Sequence, residues 1–160
     1  MIYYLIIILI SFSFGLTNDD VLIGEFTTDR LEEPPHKSWF EKGYQEYEVT
    51  KKQLKQLKPL AEDLEVKVFL GTWCPDSKEH VPHFVKIADQ LNLSSSAIQF
   101  YGLDKEKKMP SDKEEEYDIA YVPTFILKKN GKTIGRIVES PEQSLERDML
   151  DLLRPEKSDH

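Results

Sequence analysis

Apolar residues recur along this chain with two periods, and the switches between them divide it into strands and helices. Val66-Lys67-Val68-Phe69-Leu70 and the run Ala97 to Leu103, with Ile98, Phe100 and Tyr101, are short, largely apolar and bounded by polar segments, so each predicts a core strand. Thr124 to Leu127 and Thr133 to Val138 flank Asn130-Gly131, the pairing expected of a tight hairpin. Helical spacing takes over elsewhere: Leu54, Leu57 and Leu60; then Val81, Phe84, Val85 and Ala88; then Leu145, Met149, Leu152 and Leu153. Helix starts are marked by capping-box spacing at Ser38-Trp39-Phe40-Glu41, Thr50-Lys51-Lys52-Gln53, Ser111-Asp112-Lys113-Glu114 and Ser140-Pro141-Glu142-Gln143. The first two predict a break near Val49, and Pro82 is expected to kink its helix. Val21-Leu22-Ile23 and Phe26 suggest a short first strand. The order β-α-β-α-β-α-β-β-α predicts an α/β domain: a central mixed β-sheet flanked by helices on both faces.

The apolar opening, MIYYLIIILISFSFGL, stands apart. Residues 1–16 carry no charged side chain and are short for a membrane span, which takes about 20 apolar residues. Ser13-Phe14-Gly15 offers small residues at cleavage-site spacing, followed at once by polar Thr17-Asn18-Asp19-Asp20, although no Lys or Arg precedes the apolar run. Residues 1–16 therefore read as a signal peptide or an N-terminal anchor, 17–37 as an N-terminal extension, 38–154 as the folded domain and 155–160 as a C-terminal tail. The protein is expected to be exported, periplasmic or extracellular, with membrane contact confined to residues 1–16.

Composition narrows the partners. Charged residues make up 31% and hydrophobic residues 39%, which suits one folded domain. The net charge is −8, and no Lys/Arg block stands free of acidic neighbours, so nucleic acid is disfavoured as a partner. Asp104 and Glu114-Glu115-Glu116 read as a solvated face. His80 and His83 lie three apart after Cys74, with no third ligand in view, and read as solvent-facing side chains; no metal or other cofactor is expected.

The candidate chemistry rests on Cys74, the single cysteine, within Trp73-Cys74-Pro75-Asp76-Ser77. Pro75 suits the first helical position and Asp76 the first turn, which puts Cys74 at a helix start rather than inside an apolar face. There, unpaired backbone N–H groups and the positive helix end favour the thiolate, the reactive form. Ser77 lies one turn on, on the same face. A serine there can donate a hydrogen bond to a thiolate, whereas the nearby Asp76 opposes a second negative charge.

These residues together resemble the thioredoxin superfamily, over roughly residues 60 to 153. Trp73-Cys74-Pro75-Asp76-Ser77 is similar to the family's W-C-x-x-C site with serine in the last place; Pro82 resembles the proline of its second helix; Val122-Pro123-Thr124 resembles its cis-proline loop; and Phe125 to Val138 resembles its terminal hairpin. The combination G-T-W-C-x-D-S with V-P-T-F is similar to exported bacterial members of that family. The resemblance implies a thioredoxin-like fold, Cys74 and Ser77 as the catalytic pair of positions, and Trp73, Pro75, Val122, Pro123 and Thr124 as the substrate-contacting set. It implies protein or glutathione thiols and disulfides as partners. Two departures stand out: the second cysteine is Ser77, and Val68 stands where many members carry a buried acid.

The first half of thiol–disulfide exchange needs only Cys74. Release must then come from a second thiol on the substrate, giving isomerisation, or from a small thiol such as glutathione, giving reduction. The alternative is a scaffold that binds extended polypeptide without turnover. Peroxiredoxin-like chemistry is disfavoured, because Gly71 occupies the position where that pattern places a hydroxyl.

Overall fold

The computed structural model describes residues 20–154, so the apolar segment 1–16 and the tail 155–160 lie outside the described residues. Five strands form one mixed sheet: β1 (Gly24–Phe26), β2 (Leu64–Leu70), β3 (Ile98–Gly102), β4 (Thr124–Lys129) and β5 (Lys132–Val138), in the order β1-β3-β2-β4-β5. β2 and β3 run parallel, as a crossover helix requires; all other pairs are antiparallel. The helices are α1 (Lys37–Glu46), α2 (Lys51–Leu57), α3 (Pro75–Leu91), α4 (Lys113–Glu116) and α5 (Leu145–Leu153).

Alternation along the strands sorts the side chains into two layers. Val66, Val68, Leu70, Phe100, Phe125, Leu127 and Ile137 face one cluster, completed by Phe40, Leu57, Phe84 and Ile87 from α1 to α3 and by Met149 and Leu150 of α5. Phe69, Tyr101 and Ile126 face the other, closed by Leu103, Met109, Ile119 and Val122. Each large apolar side chain fully buried this way contributes about 1.5–3 kcal/mol. The first layer therefore carries most of the stability. The second, beneath one short helix and its loops, is smaller. Beside the end of α4 this face carries a polar group: Lys67 binds Gln99 and the Tyr101 hydroxyl there and lies over the Tyr117 ring.

Most elements follow the apolar pattern, with specific shifts. The first strand is Gly24–Phe26, slightly later than the apolar triplet, and it pairs with β3; residues 17–37 thus contribute to the sheet. Asn130 and Gly131 both have positive φ, 52° and 74°, as the hairpin turn demands. α1 is capped by His36, not Ser38, because the Glu33 carbonyl already accepts the His36 and Lys37 N–H groups. The predicted break is present, between Glu46 and Lys51. α3 continues through Pro82 without ending.

α4 starts after Asp112, which adopts a left-handed conformation, rather than after Ser111. The acidic run there is not wholly solvated. Glu114 is 3% exposed, because α4 lies against the second layer with that residue turned inward. α5 begins four residues late, capped by the Ser144 hydroxyl on the Arg147 N–H. The cause is Asp148: its carboxylate accepts the Glu142 and Gln143 N–H groups and folds that stretch back onto the helix start.

Candidate active site

Cys74 is the N-cap of α3, with extended backbone (φ −84°, ψ 126°). Its carbonyl accepts the Lys78 N–H at 3.1 Å, and its own N–H closes a turn on the Gly71 carbonyl at 2.9 Å. Pro75 takes the first helical position, where a missing N–H leaves nothing unpaired. Trp73 is fixed by its indole N–H, which donates to the Leu103 carbonyl at 2.9 Å. Gly71 leaves room for that ring, since a Cβ there would lie 2.6 Å from it.

The Cys74 thiol donates to the Val122 carbonyl oxygen at 3.4 Å. Val122 and Pro123 are joined by a cis peptide bond. This loop is held from both sides: the Thr124 hydroxyl donates to the Tyr121 carbonyl at 2.7 Å, and the Glu139 N–H donates to the Pro123 carbonyl at 2.7 Å. The structure thus brings Trp73, Cys74, Pro75, Val122, Pro123 and Thr124 to one end of the sheet, at the carboxyl ends of β2 and β3 and the start of β4.

Two expectations change. Cys74 is at the helix start, yet it is also packed within the second apolar layer and is only 7% exposed. The reason is that the N-terminus of α3 abuts Val122 and Trp73. Ser77, fully buried, accepts the Gly71 N–H at 3.2 Å; the hydrogen bond found there runs to the loop backbone and not to the sulfur. Val68, in the place of a buried acid, is fully enclosed in the first layer.

The histidines are not solvent-facing. His80 is buried, with Nε2 3.3 Å from the Ser140 hydroxyl, and His83 stacks on Tyr47 with ring centroids 4.1 Å apart. The α1–α2 junction and the segment after β5 cover the helix face that the spacing of α3 leaves open. Burial, helped by neighbouring His80, holds His83 below the ordinary imidazole range. Among the described residues no three His, Cys, Asp or Glu side chains converge as metal ligands do.

Sequence reasoning missed two contributors to this end of the molecule. Tyr121 is half exposed beside the Val122 loop, under the Lys107 ammonium at 5.1 Å; its place next to Val122-Pro123 was the available signal. Thr72 accepts the Leu22 N–H at 3.3 Å, which ties the start of the fold to the Cys74 loop; no local pattern announces that contact.

Comparison with known proteins identifies the family and the fold. The thioredoxin family model matches residues 45–151. The chain is 28% identical over 85 residues to thioredoxin H9 of Arabidopsis thaliana, covering 53% of this chain and 56% of that protein. It is 30% identical over 84 residues to mitochondrial thioredoxin-3 of Saccharomyces cerevisiae, covering 52% and 61%. The chain thus spans less than two thirds of the length of these relatives. A crystal structure of a Pseudomonas aeruginosa protein of unknown function shares the fold, with a TM-score of 0.54 at 14% identity over 72% of this chain and 80% of that one. The mixed five-stranded sheet, with α1, α2, α3 and α5 on one face and α4 on the other, is a thioredoxin-like fold, and the chain belongs to the thioredoxin family.

Proposed function

We propose that this chain performs thiol–disulfide exchange through Cys74 alone. The observation that carries the reading is the placement of its sulfur, at the N-cap of α3 and 3.4 Å from the Val122 carbonyl of the cis-proline loop. Ionised, the sulfur attacks one sulfur of a partner disulfide. That bond breaks, a new bond joins Cys74 to the partner, and the second partner sulfur leaves as a thiolate that takes up a proton. No net oxidation occurs in this step. Ser77 cannot resolve the adduct, so a second thiol on the substrate completes an isomerisation, or glutathione completes a reduction.

An extended partner segment would align with Val122, and its main-chain N–H would take over the carbonyl now held by the thiol. Trp73 and Pro75 would shape one wall, and Pro123 and Thr124 the other. The substrates are exported proteins, since the apolar run 1–16 followed by polar residues reads as an export signal or anchor.

A second reading is favoured by one observation, the 7% exposure of Cys74. In it the protein binds extended polypeptide without chemistry. Reaction of the folded chain with glutathione disulfide, followed by intact mass measurement, separates the two. Exchange predicts a glutathione adduct on native Cys74 that a Cys74→Ser chain does not form. An adduct that forms only after denaturation would reject exchange and leave the binder.

A further inference from the structure

Glu114 is the least satisfied polar group among the described residues. It is 3% exposed, and neither carboxylate oxygen has a hydrogen-bond partner. A carboxylate taken out of water without donors is strongly disfavoured. The cation within reach is the Lys108 ammonium, 3.4 Å from Oε1, but Lys108 is 53% exposed and sits closer to the exposed Glu115, at 2.5 Å. Glu114 lines a surface pocket of about 320 Å³ together with Glu106, Glu115, Asp118, Ile119 and Ala120. Four carboxylates there face two lysines. One of the two, Lys107, is already committed: its ammonium donates to the Ala120 carbonyl at 2.8 Å and lies over the Tyr121 ring.

This lining suits a cation with several donors. A divalent metal ion is a poor match, because no three acidic or imidazole groups converge among the described residues. A guanidinium fits better: it is planar, offers paired N–H donors to both oxygens of one carboxylate, and tolerates a partly apolar floor such as Ile119 and Ala120. The pocket wall at Ala120 is two residues from Val122, where the thiol and the cis-proline loop meet.

We propose that this pocket takes an arginine side chain of an extended partner polypeptide, with Lys108 as the internal occupant that swings out to admit it. The pocket does not depend on the exchange reading; the placement of that arginine beside a reactive cysteine of the partner does.

The test uses the full chain and short extended peptides with serine at the centre. Each carries arginine at one flanking position, and each has a twin with citrulline, which keeps the shape and lacks the charge. Calorimetry should show one position at which arginine binds at least about fivefold tighter than citrulline. Glu114→Gln should erase that difference. Glu115→Gln, an equal change in net charge, should preserve it, and Lys108→Ala should enlarge it by emptying the pocket. The proposal is overturned if arginine has no advantage at any position, if the advantage survives Glu114→Gln, or if Glu115→Gln removes it equally. Should Glu114→Gln fail to fold, the other two variants decide: enlargement by Lys108→Ala with preservation in Glu115→Gln supports the pocket, and any other pattern rejects it. The same peptides with cysteine at the centre, as mixed disulfides with nitrothiobenzoate, read the exchange reaction separately. Arginine selectivity in binding without release of the chromophore would sink the exchange reading and leave the pocket standing.

Discussion

The Ser77 hydroxyl accepts the Gly71 N–H at 3.2 Å, bracing from within the loop that carries Cys74. Both residues are buried, so neither group finds water if the other is removed. Ser77 is therefore a structural brace for the loop that carries Cys74. Ser77→Ala leaves the Gly71 N–H unpaired and should lower stability by about 1–2 kcal/mol. Urea denaturation checks it; a midpoint equal to that of the parent chain would show that the bond contributes nothing.

Gly43 on α1 meets Pro82 on α3. A Cβ at residue 43 would lie 2.9 Å from the proline Cγ and 3.1 Å from its Cβ. Two effects compete in Gly43→Ala. Helix propensity favours alanine by about 1 kcal/mol. Overpacking against a neighbour costs about 1–3 kcal/mol, and a proline ring cannot rotate out of the way. Net destabilisation of about 1 kcal/mol is expected, measured by the same denaturation. A more stable variant would mean that α1 slides along α3 freely.

The buried His36 and the half-buried His83 set a pH dependence. Burial, then the neighbouring His80, lowers the pKa of His83, and burial lowers that of His36. The unfolded chain accepts protons near pH 6.5 while the folded chain resists them, so the unfolded state binds more protons below that point. Stability is then full above pH 6.5 and declines as the pH falls beneath it. The urea midpoint should drop between about pH 7.5 and about pH 5.5. His83→Phe keeps a ring stacked on Tyr47 and should flatten the decline. An unchanged slope in the variant would remove His83 as the cause.

Legibility of the chain followed the range of the forces involved. Strands β2 to β5 were readable because alternation and the Asn130-Gly131 turn are local, and each face had a core to meet. The start of α5 is not legible locally: Ser140-Pro141-Glu142-Gln143 has valid capping chemistry, yet Asp148 captures the Glu142 and Gln143 N–H groups first. The polar type of His80 and His83 suggests exposure, but what covers a helix face comes from distant segments, here residues around Tyr47 and Ser140. Glu114 escapes the same inference because α4 turns it inward against the second layer. At the site itself, Trp73, Cys74 and Pro75 were legible from helix-start chemistry and from the resemblance. The burial of Cys74 was not, because it depends on Val122, 48 positions away.

Leu22, which donates to Thr72, strand β1, which pairs with β3, and most of α1 lie upstream of the stretch that matches the family. The matching segment is consequently packed against residues outside it. An excised fragment spanning only 45–151 would lose an edge of its sheet, the clasp on its cysteine loop and the helix seated on Pro82. The boundaries of homology and of packing diverge here, and shortened versions of the chain that keep these contacts begin ahead of Leu22.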